Sequence, residues 1–201
     1  MNEEKEITVE LDITLDELKK ILEENNFKVV DDYQLNDIYM INKNDNNEEN
    51  RKDYLELLSK CVLIRQIIQE SGNKNLLTYK FKEYNEKKEI VKQGKFNTRI
   101  EDAESTRCIF EKLNFEKLIN VNDHIIVYAN GEDEIAVQSV NDKHLYIEVE
   151  EDGKNSDVKY KTIEDMKNVF TKYNIPLKSD NYFVKKAEIE LIEKYGDENQ
   201  K

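Results

Sequence analysis

Strict alternation near the N-terminus is the feature that most constrains this chain. Ile7, Val9, Leu11 and Ile13 alternate with Glu6, Thr8, Glu10 and Asp12 from about Lys5 to Ile13. A period of two marks a β-strand with one dry face and one wet face. Most later strand candidates repeat the pattern, so a sheet built from them carries a polar face that must stay solvated. So many polar faces need a wet interior.

The punctuation between strands sets the element order. Thr14 and Glu17 form a capping box ahead of the apolar stripe Leu15, Leu18, Ile21 and Leu22, which predicts a helix to about Asn25. Phe27 to Asn42 reads as a strand, the polar run Asn42 to Asn50 as a loop, and Arg51 to Leu58 as a short helix. Cys61 to Gln69 and Leu76 to Tyr84 predict a hairpin around the turn residues Ser71 to Asn75. Asn85 to Lys95 reads as a break. Phe96 to Glu101 is then extended and Asp102 to Leu113 helical, with Cys108, Ile109 and Leu113 on one side. Three strands follow at about Leu118 to Tyr128, Glu134 to Val140 and Leu145 to Glu150, the first two joined at Asn130-Gly131. The tail predicts helices at Thr162 to Tyr173 and from about Asn181 to Tyr195, separated at Ile175-Pro176. No internal repeat or linker interrupts the chain, so residues 1–201 are expected to form a single domain with C-terminal helices from about Thr162.

Charge narrows the function classes. The chain has a formal net charge of -13, and general nucleic-acid binding depends on Lys and Arg displacing counterions from phosphates. No nucleic-acid partner is expected, and any anion site must be a local basic pocket. No apolar run approaches the roughly 20 residues needed to span a bilayer, so no membrane partner is expected either. Two cysteines without metal spacing, Cys61 and Cys108, and a charged N-terminal stretch point to the cytoplasm and to thiols that pack rather than react. His124 and His144 lack a second histidine at metal spacing and read as ordinary hydrogen-bonded residues.

Short motifs along the chain resemble those of the CYTH, or triphosphate tunnel metalloenzyme, superfamily, which includes class IV adenylate cyclases and thiamine triphosphatases. Val62-Leu63-Ile64-Arg65 resembles its Leu-Arg-Ile-Arg strand, and Leu77-Thr78-Tyr79-Lys80 matches its Leu-Thr-Tyr-Lys strand in full. Arg99-Ile100-Glu101-Asp102-Ala103 resembles its Arg-x-Glu-x-Glu segment, and Glu148-Val149-Glu150 its Glu-Ile-Glu strand. The opening Glu-x-Glu-x-Lys is represented by Glu6, Thr8 and Glu10, so only the first acid matches. The family's Lys-x-Arg is replaced by Asp123-His124-Ile125, and an acid by Gln138.

The resemblance implies an α+β fold, with an antiparallel closed β-tunnel of about eight strands and flanking helices. It implies a triphosphate or nucleotide small molecule held by Arg65, Lys80, Lys82 and Arg99, and Mg²⁺ or Mn²⁺ held by Glu6, Glu101, Glu148 and Glu150. Two glutamates two residues apart on a strand point to one face, and hard oxygen donors suit those ions. The implied activity is hydrolysis of a triphosphate or cyclisation of ATP. The alternative is a noncatalytic tunnel for a phosphate ligand or a protein, since a triphosphate brings about four negative charges to a site where Glu10 stands in place of lysine. No residue is assigned as the catalytic group, and the oligomeric state is left open.

Overall fold

The computed structural model describes residues 6–84 and 90–196, with side chains left aside at 82–84 and 90–93. Among these residues the fold is α+β, with eight strands and five α-helices. The strands are β1 (Glu6–Glu10), β2 (Lys28–Asn42), β3 (Val62–Ile68), β4 (Lys74–Tyr84), β5 (Ile90–Ile100), β6 (Phe115–Ala129), β7 (Glu134–Val140) and β8 (His144–Glu150). The helices are α1 (Leu15–Glu24), α2 (Tyr54–Ser59), α3 (Ala103–Lys112), α4 (Ile163–Lys172) and α5 (Lys186–Tyr195). The strands form one antiparallel sheet in the order β1-β8-β7-β6-β2-β3-β4-β5. Its end strands β1 and β5 are not joined by hydrogen bonds, so the expected closed ring of strands is an eight-stranded sheet without hydrogen-bonded closure. None of the described helices is long and apolar enough to cross a membrane.

The described residues fall into two compact units. The first contains residues 6–34 and 123–185. Its sheet pairs β1 with β8, β8 with β7 and β7 with β6, all antiparallel. Ile7, Val9, Ile147, Val149, Val137, Ile135, Ile126 and Tyr128 share one face and join Leu18 and Leu22 of α1 with Met166, Val169 and Phe170 of α4 in one core. Fully burying side chains of this size contributes about 1.5–3 kcal/mol each. The opposite face keeps the polar half of the alternation.

Local chemistry fixes the helix ends. Glu17 N–H donates to Thr14 Oγ1 at 3.3 Å and Thr14 N–H donates to Glu17 Oε2 at 2.9 Å, the capping box expected for α1. Thr162 and Asp165 repeat it at α4. Asn26 and Asn174, with φ of 61° and 51°, turn the chain out of α1 and α4, a conformation asparagine tolerates better than most residues. The second C-terminal helix starts only at Lys186, later than expected. The residues before it are drawn along β1 instead: Thr8 N–H donates to Tyr182 O at 3.0 Å and Val184 N–H to Thr8 O at 3.1 Å.

The second unit contains residues 35–122 and 186–196. Here β3, β4 and β5 form an antiparallel ladder. Met40, Ile64 and Ala103 form a small core with Ile38, Leu77, Ile100, Phe110 and Phe115. Asp102 caps α3 by accepting from Ser105 N–H. Two expectations are corrected. Ile90 to Lys95 belong to β5 rather than to a break, because Lys80 to Tyr84 supply ladder partners that the charged sequence did not advertise. Ile109, Leu113 and Cys108 are exposed, because α3 packs through Ala103 and Phe110 instead. Cys61 is buried as expected, and burial pushes its thiol up to about 12, leaving it inert.

Candidate functional site

The β1–β8 ladder places Glu6 opposite Glu150, Thr8 opposite Glu148 and Glu10 opposite Tyr146. Alternation therefore puts Glu6, Glu148 and Glu150 on one polar face, away from the core residues Ile7, Val9 and Val149. Their carboxylates offer oxygens that all lie within 4.8 Å of one another. Thr8 is buried and donates its hydroxyl to Glu148 Oε2 at 3.3 Å, which fixes that carboxylate. At an effective dielectric of about 20, two like charges about 5 Å apart repel by about 3 kcal/mol.

That crowding adds to a shift at Glu150. Burial pushes the Glu150 carboxyl up to about 7, and the charges of Glu148 and Glu6 add to the rise while Lys154 opposes it. Burial also pushes the Tyr33 phenol up to about 12, with Glu148 and Glu150 among the charges that raise it further. A buried Gln138 and Tyr146 share this face of the sheet. The donor set fits Mg²⁺ or Mn²⁺: hard oxygens only, an excess of negative charge, and a carboxylate that takes up a proton when nothing else neutralises it.

Glu10, which stands where the resembled family has lysine, is compensated within the same unit. Its Oε1 accepts from Lys178 Nζ at 2.8 Å and lies 3.0 Å from His144 Nδ1. Burial pushes the carboxyl up, but the hydrogen bonds from Lys178 and His144 and the charge of Lys178 outweigh it and hold the carboxyl below its ordinary value. His144 is thus a hydrogen-bonded residue as expected, and so is His124, whose Nε2 lies 2.8 Å from Asp32 Oδ1.

The second unit carries the cations. Along the β3–β4–β5 ladder, Arg65 is opposite Leu76, Leu76 opposite Arg99, and Lys80 opposite Lys95. Arg65, Lys80, Lys95 and Arg99 therefore lie on the same face of that ladder. Thr78 is buried on it and donates to Asn97 Oδ1 at 2.8 Å. Arg65 is bound by Asp37, with Nε donating to Oδ1 at 2.7 Å and one terminal nitrogen to Oδ2 at 2.6 Å. Lys82 pairs with Gln93 in the ladder, and its side chain lies outside the described residues.

Of the residues expected to hold metal, Glu6, Glu148 and Glu150 come together, while Glu101 sits in the second unit at the turn into α3, where its carbonyl accepts from Asn75. Four neighbours of these candidate residues, two in each unit, were not legible in the motifs: Asp37 and Lys95 in the second unit, Lys154 and Lys178 in the first. Lys95 could have been found from the period of two through Asn97 and Arg99. The other three are brought in by strand pairing and loop geometry, which sequence spacing does not encode.

No known family profile and no curated protein matches this sequence. Solved structures do. A protein from Pyrococcus horikoshii OT3 matches with a TM-score of 0.63 and 19% identity, covering 95% of this chain and 99% of its own. A proposed adenylate cyclase from Vibrio parahaemolyticus matches at TM-score 0.54 and 11% identity, over 94% of this chain and 97% of its own. A proposed adenylyl cyclase from Hippeastrum, found to have a dominant triphosphatase activity, matches at TM-score 0.57 and 12% identity, over 92% and 94%. At these identities the likeness is one of fold alone.

Proposed function

We propose that this protein binds a triphosphate-bearing small molecule together with Mg²⁺ or Mn²⁺. The observation that carries the proposal is the trio Glu6, Glu148 and Glu150, whose oxygens gather within 4.8 Å on the polar face of β1 and β8. A divalent ion bound there would supply a Lewis acid that neutralises phosphate oxygens. The chain's own residues do the rest. Thr8 orients Glu148, and the trio supplies the hard oxygen ligands. On the second unit Arg65, Lys80, Lys95 and Arg99 form a face suited to phosphate, the arginines by paired N–H donors and the lysines as point charges. Lys80 and Lys95 are directly opposite one another in the ladder. The fold shared with cyclases and a triphosphatase is consistent with such a ligand.

Hydrolysis of the triphosphate is the activity this chemistry favours, with cyclisation of ATP as the other outcome that the same components serve. Incubation with Mg²⁺ or Mn²⁺ and tripolyphosphate, thiamine triphosphate or ATP tests it: phosphate release, or cyclic AMP release from ATP, is expected, and Glu148→Ala must abolish it. Absence of both products at high protein concentration would remove the enzymatic claim.

A second possibility, noncatalytic binding of a phosphate ligand or a protein, is favoured by one specific observation. Asp37 holds Arg65 by two charge-assisted bonds, so Arg65 already has an acidic partner. Tight tripolyphosphate binding without turnover would establish this alternative.

A further inference from the structure

Lys154 lies in the loop after β8, and its ammonium forms an ion pair with Glu150 Oε1. It is the same sign of charge that the carboxylate trio calls for, supplied by the chain itself. The loop that carries it is firmly built. Glu134, a buried residue at the start of β7, accepts from Lys154 N–H at 2.8 Å and from Asn155 N–H at 3.2 and 3.1 Å. Gly153 N–H donates to Val158 O at 2.8 Å, and Tyr160 N–H to Glu151 O at 2.8 Å. A side chain at Gly153 would crowd the loop, since a Cβ would come within 2.7 Å of Ser156 Oγ, 3.2 Å of Val158 O and 3.3 Å of Glu134 Oε2.

The side chain itself is a different matter, since that of Lys154 is 63% exposed. Its backbone is pinned while its four-carbon arm can swing. An exposed ion pair is weak and readily exchanged, whereas a divalent ion meets three carboxylates at once.

We infer that Lys154 is a built-in counterion of the carboxylate trio, which leaves Glu150 when a divalent ion is taken up and then binds a phosphate oxygen of the ligand. The inference deepens the proposed function and rests on its metal site. Glu134 and Gly153 are positioning residues in this scheme, because they hold the loop and touch no ligand. One side chain thus serves two states: it limits repulsion among the carboxylates before loading, and it adds a cation on the carboxylates' own unit afterwards.

Binding of Mn²⁺ alone, read from the loss of the free-ion paramagnetic resonance signal, and calorimetric binding of a non-hydrolysable tripolyphosphate analogue in the presence of Mn²⁺ together test this. Lys154→Met is expected to bind Mn²⁺ alone about two- to fivefold more tightly, because a competing exposed ion pair is gone. The same variant is expected to bind the analogue more weakly, and Lys154→Arg to restore both toward the original values. If Glu148→Gln abolishes Mn²⁺ binding but Lys154→Met leaves it unchanged, the metal site stands and the inference falls. Shifts of both affinities in one direction also overturn it. If neither the unaltered protein nor Lys154→Met binds Mn²⁺, the inference and the metal site fall together.

Discussion

Arg65 and Asp37 are joined by two parallel bonds, from Nε to Oδ1 at 2.7 Å and from a terminal nitrogen to Oδ2 at 2.6 Å. Asp37 is buried and Arg65 partly so, so removing the acid strands a cation that is only part-solvated. Asp37→Ala is expected to lower stability by about 1–3 kcal/mol in urea unfolding. Asp37→Asn, which keeps the shape and drops the charge, should raise the affinity for tripolyphosphate, because Arg65 is then released to the ligand. An unchanged affinity would mean that Arg65 serves the fold alone.

Asp133 ties α4 to the β6–β7 hairpin. It accepts from Tyr160 OH at 2.9 Å, Tyr173 OH at 2.6 Å and Lys172 Nζ at 2.7 Å. Burial pushes the carboxyl up, but these three donors together outweigh it and hold it below its ordinary value. A depressed carboxyl contributes stability above the unfolded-chain value of about 3.9, and that contribution is lost as pH falls through the folded value. Acid unfolding of the unaltered protein should therefore steepen below about pH 4, and Asp133→Asn should flatten that dependence at a cost of about 2 kcal/mol at neutral pH. Identical acid profiles would show that Asp133 is not the group responsible.

Glu10 draws Lys178 and His144 onto one carboxylate oxygen. Glu10→Gln removes a negative charge on the ligand's side of the balance and loosens the hold on Lys178. Calorimetry should then show tripolyphosphate binding several-fold more tightly, by about 1 kcal/mol for one charge at close range. Weaker binding would show instead that the carboxylate is needed to position Lys178 and His144.

Protons and divalent ions compete for Glu150. Its carboxyl rises from 4.5 in the reference state to about 7 in the folded chain, so the folded form keeps its proton to higher pH than the unfolded form. Without divalent ions the unfolding temperature should fall as pH rises through that window. Excess Mg²⁺ should reverse the trend, stabilising more at pH 8 than at pH 6, with both series measured by scanning calorimetry. A metal-induced shift that does not vary with pH would place the ion elsewhere.

Alternation and capping made much of the fold legible. The polar and apolar halves of Glu6 to Glu10, the capping box at Thr14, and the chain order of the eight strands all follow from local chemistry that a sequence displays. The pair Glu148 and Glu150 was legible for the same reason, since a period of two dictates a shared face. What escaped was non-local. Residues 182–184 bond to Thr8 along β1, overriding a helical pattern, and Ile90 to Lys95 become strand through pairing with β4. Asp37, Lys178 and Lys154 reach their partners only once strands and loops are in place.

Metal uptake by the carboxylate trio is the claim on which the functional account turns. Titration of Mn²⁺ into the protein at pH 8, followed by the free-ion resonance signal, compares the unaltered chain with Glu148→Gln. The account predicts saturable binding by the unaltered chain that the substitution abolishes, with the fold intact by circular dichroism. Equal binding by both proteins, or none by the unaltered chain, would contradict it.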